Sequence, residues 1–343
     1  AGAGLVAWSA ARRVSRITKQ CAEAVQEEKL ILTGGTQKFF VMEGNLLSSS
    51  ECLDLQAGSW EPIPDMPYNR VDHAGAVLGG CLYICGGRHL LGRSCMRYHP
   101  VHRQWLGISS MSTGRAYAAA AVARDRLYIL GGVATPEHAG VLRSVESLCP
   151  GGGVNRRGAW VEGPEMTACR RWFAAATLGS QVIISGGRGP GKTHGGERSS
   201  DLLVAQSAEA LDPSRNTVRP LPRMRVPRAD HAAAVVAGSL LISGGWVPDT
   251  GEILSSIDQY DPSSETWSEC ALMPRPRLFH AAVASGGKLL VLGGDLQAAV
   301  HGLPVARSVE CLDLASGSWE ELAPMGRRRA AFCAGVMALG PTA

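Results

Sequence analysis

Six glycine pairs recur along the chain, each at the end of a short apolar run such as "LYICGG" or "LLISGG". The spacing between successive pairs is about fifty residues, and a fixed period of this size marks a repeat architecture in which each copy is one supersecondary unit. The pairs are Gly34/Gly35, Gly86/Gly87, Gly131/Gly132, Gly186/Gly187, Gly244/Gly245 and Gly293/Gly294. This feature constrains the fold more than any other, because one unit alone cannot bury its apolar faces.

An arginine stands sixteen residues before the first glycine of the second to sixth pairs, and a methionine stands four residues before each arginine. Met325 and Arg329 supply a sixth couple near the C-terminus. We call the six arginines the link arginines: Arg70, Arg115, Arg170, Arg228, Arg277 and Arg329. Because their spacing to the glycines is invariant, the sequence predicts the same local geometry in every unit.

Each unit reads as four short strands: an Ala-rich strand, the strand that ends in Gly-Gly, a strand such as "SVECLDL", and a strand that starts at Trp. Five units carry this Trp, and the fourth reads "NTVRPLPRM" instead. Four-stranded units of about fifty residues, repeated radially, are the arrangement of a β-propeller. The glycine pairs, the Trp and the Met-Pro-x-x-Arg link resemble Kelch repeats over about residues 28 to 338. The expected fold is therefore all-β: a six-bladed Kelch-type β-propeller with four antiparallel strands per blade.

The ring needs one strand to close blade one, and two segments compete for that place. We predict that residues 330–339, "AAFCAGVMAL", complete the blade from the C-terminus; the rival is "ITKQCAEAV", residues 17–25, which brings more acidic residues with it. The predicted organisation is a basic N-terminal segment at 1–26 outside the propeller and one propeller domain at 27–343. The N-terminal segment resembles a short basic amphipathic helix or an organelle-targeting sequence, and a disordered tail is the alternative.

The stretch from Gly186 to Thr193 matches the spacing of a phosphate-binding P-loop. A P-loop needs a helix that opens at its Lys, whereas "HGGERSS" follows Thr193 and offers no apolar periodicity for a helix. Because Gly186/Gly187 is also one of six repeated pairs, we interpret the match as a loop insertion in blade four. Binding of ATP or GTP is not expected, and neither is any other cofactor or metal.

Charge and cysteine usage narrow the class of partner. The sequence has 34 Lys and Arg residues and 30 Asp and Glu residues, and the excess of four positive charges lies before residue 23. The rest of the chain therefore has no net charge. Because binding to nucleic acid depends on neutralising phosphates, we predict no nucleic-acid partner. The sequence contains no run of 18 apolar residues, so it predicts no membrane-spanning helix.

The ten cysteines include no Cys-x-x-Cys pair, which favours reduced, buried thiols over zinc sites. The prediction is an intracellular, cytoplasmic protein, with an organelle as the alternative.

The link arginines have two possible roles. In some Kelch substrate adaptors such arginines bind acidic peptide motifs. However, the third strand carries an acid in five of six units: Glu51, Glu146, Glu209, Asp258 and Glu310, with Met96 in the second unit. We therefore interpret the link arginines as structural residues that pair with these acids.

If the invariant positions are structural, recognition lies where the copies differ. Two residues past each link arginine stand Asp72, Tyr117, Trp172, Asp230, Phe279 and Ala331, and we expect the aromatic ones to be exposed. The predicted protein-binding residues are Trp172, Tyr117 and Phe279 with Arg171 and Arg93, joined by Asp72, Asp230, Trp246 and His89. Because His73, His231 and His280 repeat at one position, we predict packing rather than metal binding for them.

The resemblance implies a non-catalytic protein–protein interaction module that binds a partner protein, with an acidic motif in that partner as one option. Two alternatives stay open at this stage: a Kelch-type enzyme such as a sugar mutarotase or epimerase, and an architectural subunit of a larger complex. No catalytic residue is identified, since fold alone does not decide function.

Overall fold

The structure is a computed structural model that describes residues 27–37, 45–88, 91–135, 140–150, 158–190, 204–295 and 305–339. Six four-stranded antiparallel sheets account for nearly all of its regular structure, as the repeat predicts. Among the described residues only 204–206 are α-helical. Within these ranges no helix has the length and apolar character needed to cross a membrane.

The first three blades follow one another along the chain. Blade 1 contains β1 (Glu27–Thr33), β2 (Ser50–Asp54) and β3 (Ser59–Ile63). Blade 2 contains β4 (Ala74–Leu78), β5 (Cys81–Cys85), β6 (Cys95–His99) and β7 (Gln104–Ile108). Blade 3 contains β9 (Ala119–Ala123), β10 (Arg126–Leu130), β12 (Val145–Cys149) and β13 (Ala159–Glu162), and a small ribbon of β8 (Gly114–Ala116) with β11 (Val133–Thr135) extends it.

The last three blades repeat the pattern. Blade 4 contains β14 (Ala174–Leu178), β15 (Gln181–Ser185), β16 (Ala208–Asp212) and β17 (Thr217–Leu221). Blade 5 contains β18 (Ala232–Val236), β19 (Ser239–Ser243), β20 (Ser256–Asp261) and β21 (Thr266–Leu272). Blade 6 contains β22 (Ala281–Ser285), β23 (Lys288–Leu292), β24 (Val309–Asp313) and β25 (Ser318–Leu322).

The innermost strand of blade 1 comes from the C-terminal end. It is β26 (Cys333–Leu339), which pairs antiparallel with the whole of β1, from Thr33 opposite Cys333 to Glu27 opposite Leu339. The strand starts three residues later than the sequence predicts, because Ala330 instead forms a bridge with Thr36. The innermost strands then contact one another in a closed circle, β26 to β4, β9, β14, β18, β22 and back to β26. The rival segment at 17–25 and the predicted N-terminal segment at 1–26 lie outside the described residues.

The core is divided into six apolar clusters, one at each interface between neighbouring blades. Each cluster contains one of the repeated methionines, all at most 3% exposed: Met66, Met111, Met166, Met224, Met273 and Met325. The repeated Trp packs against a cluster and its indole N–H donates to a backbone carbonyl of the preceding blade, as Trp267 does to Pro222 O at 3.0 Å. In blade 4 Val218 takes this place. The blades are thus joined by packing that repeats with the sequence.

The glycine pairs lie where the second strand of each blade ends, and both members have positive φ. At Gly186 φ is 60°, and a Cβ atom would lie 2.5 Å from Arg228 O of the next blade. The N–H of Gly186 donates to Ser207 O at 2.9 Å, and that of Gly187 donates to Arg228 O at 2.8 Å. Both N–H groups therefore already have hydrogen-bond partners within the propeller. Lys192 and Thr193, the other parts of the P-loop match, lie outside the described residues.

Candidate functional site: the mouth of the central channel

The link arginines are buried inside the blades, with exposed fractions of 0 to 2%. Arg228 is representative: Nη1 donates to Gly244 O at 2.9 Å and Nη2 donates to Ser256 Oγ at 2.7 Å. Its backbone carbonyl accepts from the N–H of Gly187 in the preceding blade. Since the same contacts recur around the ring, each link arginine fastens the glycine turns of two neighbouring blades.

Five link arginines also contact a carboxylate on the third strand of their blade. The pairs are Arg115–Glu146 at 3.0 Å, Arg228–Asp258 at 3.1 Å, Arg329–Glu51 at 2.7 Å, Arg170–Glu209 and Arg277–Glu310. Blade 2 has Met96 at this position, and Arg70 keeps the contacts with Gly86 O and Ser94 Oγ that correspond to those of the other link arginines. Burial lowers the pKa of Arg70 below its ordinary value. A buried guanidinium that donates to backbone carbonyl and hydroxyl groups of its own blade is a structural group and not an open recognition surface.

Two residues past each link arginine, the backbone of all six blades forms a closed circle of hydrogen bonds. Each N–H donates to the carbonyl of the equivalent residue in the preceding blade, at 2.8 to 3.4 Å. We call these residues the mouth ring; in blade order they are Ala331, Asp72, Tyr117, Trp172, Asp230 and Phe279. Because they directly precede the innermost strands, the mouth ring surrounds one end of the central channel. Its side chains, with those of the next residues in the chain, line a cavity of about 130 Å³.

Every residue of the mouth ring has a left-handed backbone, with φ between 52° and 57°. Glycine adopts this conformation readily, whereas other residues are strained there by roughly 1–2 kcal/mol. Five of the six positions nevertheless carry a charged or aromatic side chain. Strain of this kind concentrates at functional sites, which marks the mouth ring as a candidate.

The aromatic side chains of the mouth ring are partly buried, which corrects the expectation that they are exposed. Tyr117 and Trp172 pack edge to face, with ring centroids 5.4 Å apart. Arg88 lies over the Tyr117 ring at 5.0 Å, and Arg171 lies over the Trp172 ring at 4.3 Å. These contacts cover part of each ring and fix its orientation, and Tyr117, Trp172 and Phe279 are among the residues that line the cavity at the channel mouth.

The two acids of the mouth ring stand in blades 2 and 5, on opposite sides of the six-membered circle. Both are 8% exposed. Asp72 forms an ion pair with Arg88 at 2.5 Å, and Asp230 accepts a hydrogen bond from Trp246 Nε1 at 2.8 Å. Burial raises the pKa of Asp230 well above its ordinary value, and the charge of Asp72 adds to this shift.

Arg188 was missed by reasoning from the sequence. It lies in blade 4 directly after Gly187, its guanidinium lies 5.5 Å from the Trp246 ring centroid, and its backbone pairs with that of Arg171. The available signal was positional, because Arg88 and Trp246 also stand directly after a glycine pair. The residue after each pair is thus a second variable position on this face.

The remaining predicted residues are placed less centrally. Arg93 is exposed, and its Nε donates to Met111 O at 2.9 Å, so it lies at the blade 2 to blade 3 link rather than in the mouth ring. His89 lies outside the described residues.

The repeated histidines pack as predicted for a structural position. His231 Nε2 lies 2.9 Å from Ser185 Oγ, and His280 Nε2 lies 2.8 Å from Ser243 Oγ. Burial, followed by repulsion from the nearest link arginine, lowers the pKa of His73, His231 and His280 to about 3. In the part of the chain that the structure describes, no three His, Cys, Asp or Glu side chains cluster as metal ligands would. The nine described cysteines form no disulfide with one another, and six of them are buried.

Comparison with known proteins identifies the repeat. The family model of the Kelch motif matches residues 69–112, 227–274 and 276–326, which correspond to blades 2, 5 and 6. The chain therefore contains Kelch repeats. It is 24% identical to Kelch-like protein 36 of Bos taurus over 67% of this chain and 44% of that protein. It is 26% identical to Kelch-like protein terF of Aspergillus terreus over 69% of this chain and 51% of that protein.

The third relative of interest is alpha-scruin of Limulus polyphemus, 30% identical over 63% of this chain and 23% of that protein. The Kelch chain thus spans about half, or less, of the length of the curated relatives that it matches. Among solved structures, the structure of YjhT superposes with a TM-score of 0.64 at 15% identity, covering 85% of this chain and 97% of that one. At this identity the superposition supports the fold alone.

Proposed function

We propose that this Kelch propeller is a protein-interaction module that binds a partner protein through the face carrying the mouth ring. Trp172, Tyr117 and Phe279 supply the apolar contact, and Arg171 supplies a charged contact beside them. Arg93 contacts the partner at the periphery of the same face. Aromatic residues and arginine are enriched at the centres of protein interfaces, where a few side chains contribute most of the binding free energy.

The observation that carries this proposal is the strained backbone of the mouth ring. The circle of backbone hydrogen bonds needs only the N–H and C=O groups of these residues, since Ala331 makes both hydrogen bonds without a large side chain. The circle therefore closes without Trp or Phe at these positions, and Gly would adopt the same φ with less strain. A binding role explains why large side chains occupy strained positions.

The charges near the mouth ring favour an acidic group in the partner. Three guanidiniums, of Arg88, Arg171 and Arg188, lie against the mouth ring or Trp246, and two carboxylates, of Asp72 and Asp230, accompany them. The cavity of about 130 Å³ is smaller than the roughly 300–1,000 Å³ usual for small-molecule pockets. A side chain that projects from a protein surface fits this space better than a free metabolite.

Glycine substitution tests the proposal sharply, because at positive φ it removes the side chain and relieves backbone strain together. We expect Trp172→Gly to keep the melting temperature near that of the wild type and to lose the partner. Ala331→Gly is the matched control in the same ring, and it should keep the partner. The whole chain is used as bait in cell extract, proteins lost with Trp172→Gly alone are identified, and their affinity is then measured with purified protein. Equal capture by both variants would refute a docking role for the mouth ring.

A second candidate, acid–base chemistry on a sugar, is favoured by one observation. Asp230 is a buried carboxyl group with a raised pKa in a concave site, and such groups serve as general acids. Incubation with reducing sugars, followed by exchange spectroscopy of the anomers, tests this candidate. Acceleration that Asp230→Asn abolishes would favour the enzyme.

A further inference from the structure

We infer that the outer groove between blades 3 and 4, formed by Val161, Gly163, Pro164 and Val218, binds a tryptophan side chain that projects from a partner protein. The groove lies on the outer strands of the propeller and uses no residue of the mouth ring, so this inference goes beyond the proposed function. It depends on what the other five blade interfaces contain and this one lacks.

At five blade interfaces an indole on the outer strand completes the packing. The five residues are Trp60, Trp105, Trp160, Trp267 and Trp319, and each packs against the apolar cluster between its own blade and the preceding one. Each indole N–H donates to a backbone carbonyl of the preceding blade at 2.7 to 3.0 Å. In four of the five the acceptor stands two residues before the repeated methionine, as Pro222 stands before Met224. Both the apolar body and the polar N–H of the indole are thus satisfied.

The interface between blades 3 and 4 has no such indole. Val218 stands at this position, where it is partly buried against the cluster but has no N–H to donate. The equivalent acceptor is Pro164, two residues before Met166. Within the described residues no donor reaches Pro164 O. The interface therefore lacks both the apolar plate and the hydrogen bond that the other five share.

A second side chain is missing from the opposite wall of the same groove. Three residues past the Trp position, the other five outer strands place a side chain against the next interface: Ile63, Ile108, Leu221, Cys270 and Leu322. In blade 3 this residue is Gly163. Both walls between blades 3 and 4 thus contribute less apolar volume than their counterparts elsewhere in the ring.

The exposure of Val161 shows the consequence. Successive residues of a strand face opposite sides, so Val161 faces blade 4 because its neighbour Trp160 packs toward blade 2. Val161 is 50% exposed. Its equivalent in blade 2, Leu106, is only partly exposed at an interface that does have its indole. An apolar side chain is left uncovered where the indole is missing.

The other five interfaces show which side chain fits the groove. A tryptophan from a partner would cover Val161 and Val218 and donate its N–H to Pro164 O, which are the contacts that the chain's own indoles make elsewhere. An aliphatic side chain would leave the carbonyl without a donor, and a charged one would find no counter-charge among the four residues of the groove. Tryptophan is also one of the residues in which the binding energy of protein interfaces is concentrated.

The test measures binding of N-acetyltryptophanamide to the whole chain by saturation-transfer NMR. We expect weak, saturable binding, and about fivefold weaker binding of the benzothienyl analogue, in which sulfur replaces the indole N–H and one hydrogen bond is lost. Val218→Trp supplies the missing indole from the chain itself, so it should abolish binding of the probe and raise the melting temperature. Val161→Lys should also weaken binding. The matched control is Val101→Lys, which changes an exposed valine in the β6–β7 hairpin of blade 2 and should leave binding unchanged.

Several results would overturn the inference. They are the absence of saturation, equal affinity for the benzothienyl analogue, unchanged binding to both Val218→Trp and Val161→Lys, and a lower melting temperature of Val218→Trp, which would mean that the groove has no room for an indole.

Two further variants separate this groove from other sites. Trp172→Gly should leave binding of the probe unchanged, whatever it does to docking at the mouth ring; loss of the probe in this variant would locate it at the mouth ring and contradict the outer groove. Trp8, which lies outside the described residues, is the alternative occupant from this chain. Probe binding that appears only with Trp8→Ala would assign the groove to the chain's own tryptophan and refute the partner.

Discussion

Three buried histidines should make this propeller sensitive to mild acid. His73, His231 and His280 are 6 to 7% exposed, and their pKa is lowered from 6.5 to about 3, chiefly because burial disfavours the charged imidazolium. In the unfolded chain each titrates near its ordinary value. The unfolded state therefore binds more protons between these two values, so the free energy of unfolding falls as pH falls below about 6.5.

The size of the effect follows from the two pKa values. At about pH 5 an unfolded histidine lies about 1.5 pH units below its pKa, and at 1.36 kcal/mol per unit its protonation favours unfolding by about 2 kcal/mol. Since the three histidines lie in different blades, their effects add to about 6 kcal/mol. Whole domains have unfolding free energies of roughly 5–15 kcal/mol, so this loss brings the ring close to unfolding.

The chain itself suggests the substitution that tests this reasoning. Phe173 and Phe332 stand at the histidine position in blades 4 and 1, so a phenyl ring fits that place in this fold. His231→Phe should remove about 2 kcal/mol of the stability lost between about pH 7.5 and 5, and replacement of all three histidines should remove most of it. The measurement is urea unfolding at both pH values with the denaturant slope compared between them.

Asp230 needs a separate control, because its raised pKa changes the free energy of unfolding with pH in the opposite direction to the three histidines. Its folded state binds a proton more readily than its unfolded state, so its contribution to stability grows as pH falls through the folded pKa. The histidine series is therefore repeated with Asp230→Asn. If the wild type and the triple Phe variant lose the same stability between the two pH values in that background, the histidines are not the cause and the reasoning is wrong.

Three further predictions concern the ring and the P-loop match. Arg228→Ala should lower the free energy of unfolding by up to about 3–5 kcal/mol, because it leaves the buried Asp258 with the exposed Arg225 as its ion-pair partner. Arg70→Ala should cost less because its blade has no acid at that position; urea unfolding compares the two variants, and equal losses would contradict the pairing argument. Deletion of residues 329–343 removes the closing strand and should abolish the cooperative melting transition in calorimetry, whereas an unchanged melt would refute this closure. Lys192→Ala should change stability by less than about 0.5 kcal/mol, and ATP should not raise the melting temperature; saturable ATP binding lost on this change would restore the P-loop interpretation.

The sequence predicts the ring well because the same physical demand is met six times. A positive φ and a close backbone approach require glycine at Gly186, and the same demand recurs at the other five pairs. The link arginine and the methionine are likewise set by contacts inside every unit. Repetition at fixed spacing therefore reports the blade geometry directly, and it narrows the closing strand of blade 1 to two candidate segments, residues 330–339 and 17–25.

The site is less predictable because its geometry comes from neighbouring blades rather than from one unit. The partial burial of Trp172 depends on Arg171 above it and Tyr117 beside it in another blade. The pairing of Arg188 with Trp246 likewise joins loops that are far apart in sequence. Reasoning from one unit at a time identifies which residues vary, and it cannot give their burial or their contacts.

At the mouth ring the fold fixes the backbone conformation, while the side chains differ from blade to blade. Acidic, aromatic and small residues all adopt nearly the same φ there, so the circle of backbone hydrogen bonds sets the conformation whatever the side chain is. A substitution that keeps this backbone can therefore change recognition without disturbing the blades. Ala331 in blade 1 has the smallest side chain of the circle and Trp172 in blade 4, opposite it, has the largest, so the side chains of the mouth ring are asymmetric although its backbone is not.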